Sequence, residues 1–257
     1  MSIRRIGTLA GNTVREAVRS RLLYSLLFLA GVLILTGVLV STLSYVDSAR
    51  IVQDVGLAAI RLFGIGIAIF VGVGLIHDEI DRRTIYTILS KPVSRAEFVL
   101  GKYLGLVATV DLLLVALSLI FVLVSLGVGA PLDGGHAAAL VLMAMELMLV
   151  VAVATFFSCF TTPMLASLFT VGVVLAGHFS RDLQRLGEQS SVEGLGFMTG
   201  LLYRALPDLE SFNLTVQAVH QLAISTAELW LPIAYGLAYS AFLLLAAVLV
   251  FERRDLR

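Results

Sequence analysis

The sequence predicts an all-α integral membrane protein: six transmembrane helices, an N-terminal amphipathic interfacial helix, and both termini in the cytoplasm. Three observations predict it. Of 257 residues, 59% are hydrophobic and only 14% charged, against roughly half and a quarter in soluble domains. The apolar residues gather into six long runs. Thirteen of the 18 Lys and Arg residues fall in three segments that flank those runs.

Residues 1–21 form the interfacial element. Within Ile3–Ser20, Ile3, Ile6, Leu9 or Ala10, Thr13 or Val14, and Ala17 recur at helical spacing, with Arg4, Thr8, Asn12, Arg15 and Arg19 opposite. A helix so patterned is expected at the cytoplasmic surface, its apolar side in the acyl boundary. Arg4, Arg15 and Arg19 then reach the headgroup phosphates. Five arginines precede an apolar run too long for a signal-peptide core, and no small-residue cleavage site follows it, so no cleaved leader is expected.

The runs at 22–44, 55–77, 101–128, 137–160, 163–179 and 229–251 each approach the ~20 residues that cross a ~30 Å hydrocarbon core. The fifth is the shortest. Helices are required because lipid satisfies no backbone polar group, and no run alternates as a barrel strand does. The basic residues cluster before the first run, across 79–102 and at the C-terminus. These three share one side of the membrane only with an even number of spans, and the positive-inside rule makes that side cytoplasmic.

Between the second and third runs lies Glu79–Lys102. A short surface helix is expected over Ile80–Leu89, broken at Ser90-Lys91-Pro92-Val93 because proline disfavours helix in the residue before it. Ser94-x-x-Glu97 then reads as a capping box that starts the third span. The result is a built elbow, fit either as a plain cytoplasmic turn or as a docking knuckle for another protein. Thr161-Thr162-Pro163 predicts a Thr N-cap with Pro at the first helical position, and hence a tight cytoplasmic hairpin between spans four and five. The extracytoplasmic segment 180–228 is too small for a separate domain. Two short helices around Pro207-Asp208 are expected there, in part dipping toward the bilayer.

Ionisable residues interrupt three spans: Arg61, Asp111 and Glu146. A charge near the bilayer centre costs at least ~2.5–3.5 kcal/mol, so each is expected to face the bundle interior or water. Arg61–Glu146 is the first pairing expected and Arg61–Asp111 the second. A structural lock, a place on a transport path and proton coupling are the three roles open to them. Gly64, Gly66, Gly72 and Gly74 suit close helix approach, within the bundle or across a dimer seam.

Chemistry of the chain's own is not expected. The sequence contains no H-E-x-x-H, G-x-S-x-G or P-loop, since Gly101-Lys102 lacks the upstream glycine. No metal site is expected, because no second cluster faces His77-Asp78-Glu79. The single Cys159 excludes an internal disulfide framework.

The whole order resembles the permease subunit of a type-2 ATP-binding-cassette (ABC) exporter. The resemblance is sharpest at His77-Asp78-Glu79, Arg83-Thr84-Ile85, and from Leu89-Ser90-Lys91-Pro92-Val93-Ser94-Arg95 to Gly101-Lys102. That phrase is similar to bacterial permeases of the group that includes the nitrous-oxide-reductase maturation transporter, as is Ala205-Leu206-Pro207-Asp208-Leu209-Glu210-Ser211-Phe212-Asn213. The resemblance implies that residues 79–100 are a coupling segment seated on a separate cytoplasmic ATPase subunit, with Glu79, Arg82, Arg83, Thr84, Ile85 and Leu89 bearing the contact. It implies ATP and Mg in that partner and no cofactor in this chain. It further implies a homodimer or a heterodimer with a related permease, the bacterial cytoplasmic (inner) membrane, and a possible periplasmic accessory protein. No nucleic acid is expected. An ion-coupled secondary transporter and a non-transporting anchor for a cytoplasmic partner stay open as alternatives. Matched Gly/Pro-broken half-helices, typical of secondary transporters, are missing.

Overall fold

A computed structural model of the chain describes residues 3–42, 48–81, 94–189, 196, 199–201 and 206–253. Its helices are α1 (Ile3–Val18), α2 (Arg21–Ser41), α3 (Ser48–Asp81), α4 (Arg95–Gly127), α5 (Gly134–Ser158), α6 (Pro163–His178), α7 (Ser180–Gln189), α8 (Thr215–Val219) and α9 (Thr226–Arg253), with a 3₁₀ turn at Glu210–Phe212. No strand occurs among the described residues. The protein is an all-α membrane protein.

Local chemistry sets where several helices begin. Ser94 and Glu97 form the expected reciprocal capping box at α4, with Glu97 N–H on Ser94 Oγ at 3.2 Å and Ser94 N–H on Glu97 Oε2 at 3.1 Å. Asp133 caps α5 by accepting from the N–H groups of Gly135 and His136. Burial pushes the Asp133 carboxyl up, but these bonds and the His136 ring outweigh it and hold it below the usual carboxylate range. Ser225 and Glu228 close a second S-x-x-E box before α9. At α6 the expectation needs correction: Thr162 takes the N-cap position without a side-chain cap bond. Pro163 alone starts the helix, and Thr161 Oγ donates instead to the Phe157 carbonyl at 2.8 Å.

Among the described residues, α2, α3, α4, α5 and α9 are long and apolar enough to cross a membrane. The fifth expected span is different. Helix α6 has 16 residues, about 24 Å of rise, short of the ~30 Å core. It makes a sixth span only if joined to α7, across a 63° bend.

Helix α5 lies at the centre, with buried residues along its length from His136 to Ser158. Helices α3, α4, α6, α8 and α9 pack around it, and α2 lies outside against α3 and α4. Because lipid is as apolar as leucine, small residues and close backbones must hold such a bundle. A Cβ on Gly64 would stand 3.0 Å from Leu147 Cδ1, and one on Gly72 would stand 2.7 Å from Ala154 Cβ. These two glycines therefore seat α3 on α5. Gly66 and Gly74 meet nothing.

Helix α1 is amphipathic as expected, with Arg4, Arg15 and Arg19 exposed. Its apolar side, however, rests on protein rather than in acyl chains. Ile6, Thr13 and Ala17 are buried, and the helix runs along α4. The surface it meets is Gly101-x-x-x-Gly105. A Cβ at Gly101 would lie 2.7 Å from Leu9 Cβ, and one at Gly105 would lie 2.7 Å from the Ala10 carbonyl. Only glycine allows this approach.

Candidate functional site

The elbow expected over 80–93 is bracketed by two long helices. Glu79 lies in the last turn of α3, which runs to Asp81; its side chain is outside the described residues. So are Arg82, Arg83, Thr84, Ile85 and Leu89. Residues 95–100, grouped with the coupling segment from sequence, belong to α4. At that helix start Glu97, with its side chain 4% exposed, also meets Arg5 of α1 at 3.8 Å. One turn on, the buried Lys102 ammonium lies 3.6 Å from Glu16 of α1. Arg95 reaches across to the other end of the chain. Its Nη1 donates to the carbonyls of Phe251 and Glu252 at 2.8 and 2.9 Å, and its guanidinium lies over the Phe251 ring. Arginine thus satisfies carbonyls that the end of α9 leaves open, with the charge matched to the helix dipole.

Deeper in the bundle, Arg61 of α3 and Glu146 of α5 meet, Nε to Oε2 at 3.0 Å. Each sits about 18–20 Å along its helix from the outer end. Glu146 is 1% exposed and Arg61 13%. The first of the two expected pairings is therefore the one formed. Asp111 lies elsewhere on α4, half-buried, with no hydrogen bond or ion pair among the described residues. Two groups join the pair that sequence reasoning missed. His178, at the end of α6, places Nε2 3.0 Å from Glu146 Oε1. Glu210 stands 3.9 Å from Arg61 Nη2, and the same nitrogen donates to the Leu209 carbonyl at 3.4 Å.

The stretch after α7 folds back to this depth. Leu209 N–H donates to the Gly177 carbonyl at the end of α6, and Asp208 N–H donates to the Tyr235 hydroxyl of α9 at 3.0 Å. Phe212, fully buried, lies against Gly236 of α9. Outside it, a cavity of about 710 Å³ separates this stretch from α9, lined by Arg181, Asp208, Glu210, Glu228, Tyr235 and Tyr239 among others. Arg181 and Asp208 pair across its edge at 2.8 Å.

A bundle of long apolar helices with a buried ion pair and a cavity beside it is a transporter's inventory. The family described as ABC-2 family transporter protein matches residues 8–256. The chain belongs to that family. No curated protein matches it. As an ABC-2 protein it is the permease component of an ABC transporter, a multi-pass membrane subunit that pairs with an ATPase subunit and is not itself the ATPase.

Some of what this permease holds together had a readable signal. Gly101-x-x-x-Gly105 is the small-x-x-x-small spacing of close helix contacts, and it predicts a seat for a neighbouring helix. Arg95 and Lys102 stand near the start of a span, where long cations reach for partners. His178 ends an apolar run too short to finish a crossing, which marks it as a residue inside the bundle. Glu210 carries no such mark.

Proposed function

We propose that this permease belongs to an ABC exporter of a bacterial cytoplasmic membrane, closest to the nitrous-oxide-reductase maturation group. Movements of its ATPase partner enter through residues 79–89. ATP and Mg bind in that partner. Two permeases, identical or related, pair above two ATPases, and a cleft between them opens alternately as the ATPases close and part.

One observation carries this reading. The elbow is bracketed by helices that do not yield locally: α3 runs unbroken for 34 residues, and α4 starts at a double cap tied to α1 by Arg5 and to α9 by Arg95. A push on residues 82–93 therefore reaches the two helices that flank α5. The apolar and arginine-rich composition of Arg82–Leu89 matches what protein interfaces favour. The clustering of basic residues on one side gives the orientation.

The test is co-expression with a candidate ATPase and reconstitution in vesicles. Arg83→Glu and Ile85→Asp are expected to abolish co-purification and ATP-coupled flux while leaving the permease folded. Unchanged assembly and unchanged ATP-dependent flux would sink the coupling assignment. Flux that follows an ion gradient without the ATPase would replace it with secondary transport.

A further inference from the structure

The ring of His178 stands between two oxygen acceptors. Its Nε2 is 3.0 Å from Glu146 Oε1, and its Nδ1 is 2.8 Å from the Val174 carbonyl one turn back in α6. A neutral imidazole has one donor and one acceptor nitrogen. The carbonyl can only accept, and so can an ionised carboxylate. With a neutral ring beside a carboxylate, one nitrogen lone pair would face an oxygen at hydrogen-bond distance. Both contacts are satisfied only when the His178–Glu146 pair holds one more proton than a neutral imidazole and a carboxylate carry. Arg61 Nε contacts both carboxylate oxygens, at 3.0 and 3.4 Å, which keeps the negative charge on Glu146 and the proton on the ring.

The charges facing His178 then balance. Arg61 from α3 and His178 from α6 are positive. Glu146 from α5 and Glu210 from the folded-back stretch are negative. Arg181 and Asp208, the next charges out, neutralise each other at 2.8 Å, and Asp182 of α7 meets Arg185 in solvent. Removing the proton would leave this set, whose Glu210 carboxylate is partly exposed, one negative charge in excess beside the buried Glu146.

We propose that His178 and Glu146 form an intramembrane proton-binding site, and that its proton latches the folded-back stretch to the end of α6. The latch is physical. Gly177, beside His178, accepts from Leu209 N–H and from Ser180 Oγ at 2.9 Å. Leu209 in turn offers its carbonyl to Arg61. A Cβ at Gly177 would stand 2.6 Å from the Pro207 carbonyl, so a shift of the α6 end cannot leave this stretch in place. His178 keeps 21% of its side chain exposed. The site is independent of how the ATPase is coupled.

Two measurements on the full chain in lipid nanodiscs test it. With 15N-labelled histidine, the His178 resonances are assigned by their loss in His178→Lys. They are read at about pH 7.5, where an ordinary histidine is mostly neutral. Both ring nitrogens are expected at imidazolium positions. The second uses Leu214→Cys in a Cys159→Ala background, with a membrane-impermeant maleimide, because Leu214 is buried in the seated stretch. Labelling is expected to be slow in that parent, at least tenfold faster with His178→Gln, and near the parent rate with His178→Lys, which keeps a cation facing Glu146. A neutral ring at that pH overturns the proton site. Equal labelling in the Gln and Lys variants overturns the latch.

Discussion

Arg61 is anchored from three directions, by a carboxylate on α5, a backbone carbonyl at Leu209 and a second carboxylate at Glu210. Losing one partner of a buried pair costs more than losing both, because the survivor keeps only part of its compensation, Glu146 then facing His178 alone. Arg61→Ala is therefore expected to destabilise the permease by about 3–5 kcal/mol, and Arg61→Ala with Glu146→Ala by less. Thermal unfolding in detergent across the double-mutant cycle measures this, and additive losses would rule out the coupling. The pair was readable because charges inside apolar runs need partners, and few cations stand at that depth. Asp111 was the second candidate by that logic. What separates it from Glu146 is helix azimuth, which the sequence does not reveal when every face of the helix is apolar.

Between α1 and α4 the seam is set by backbone more than by side chains. Leucine at Gly105 would drive a Cβ to 2.7 Å from a carbonyl and 2.6 Å from the Thr13 Cβ, and helical backbone cannot yield as a flexible side chain can. Gly105→Leu is expected to lift α1 off α4, at a cost of at least about 1–3 kcal/mol. Trypsin cleavage at Arg15, slow in the parent protein, then becomes fast in the variant; unchanged cleavage means that α1 is held elsewhere. Element by element, the helices were legible from runs of apolar residues, and the start of α4 from its Ser94–Glu97 spacing. The seat of α1 was misread. An amphipathic pattern states that one side is apolar, but not whether lipid or protein covers it. Likewise the run 163–179 had the composition of a span but lacked the length of one.

Across the whole molecule, Arg95 joins the start of α4 to the last turn of α9, so these two helix ends move as one. Hydrogen bonds from a charged donor contribute about 1.5–3 kcal/mol. Arg95→Ala is expected to lower the unfolding temperature and to speed hydrogen exchange in the α9 terminus around Phe251. Exchange unchanged there would show that the Phe98–Phe251 stack, at 6.0 Å, holds the terminus alone. The class of the molecule was legible because bilayer thickness is a global constraint. The return of residues 206–214 was expected only as a dip toward the bilayer; its depth, down to Arg61, was not legible, because a stretch packed inside protein reads like any external loop in sequence. That return follows from α6 being shorter than a full crossing, and it makes the two halves of the bundle mechanically unequal. From Pro163 to His178, α6 fills its place in the ring as a continuous hydrogen-bonded rod. Beyond His178, the same place is filled by a 3₁₀ turn and a five-residue helix, which have few internal bonds to resist strain. A load applied evenly to this bundle deforms that half first. The compliance of the permease is thus concentrated away from the end of α3 and the start of α4.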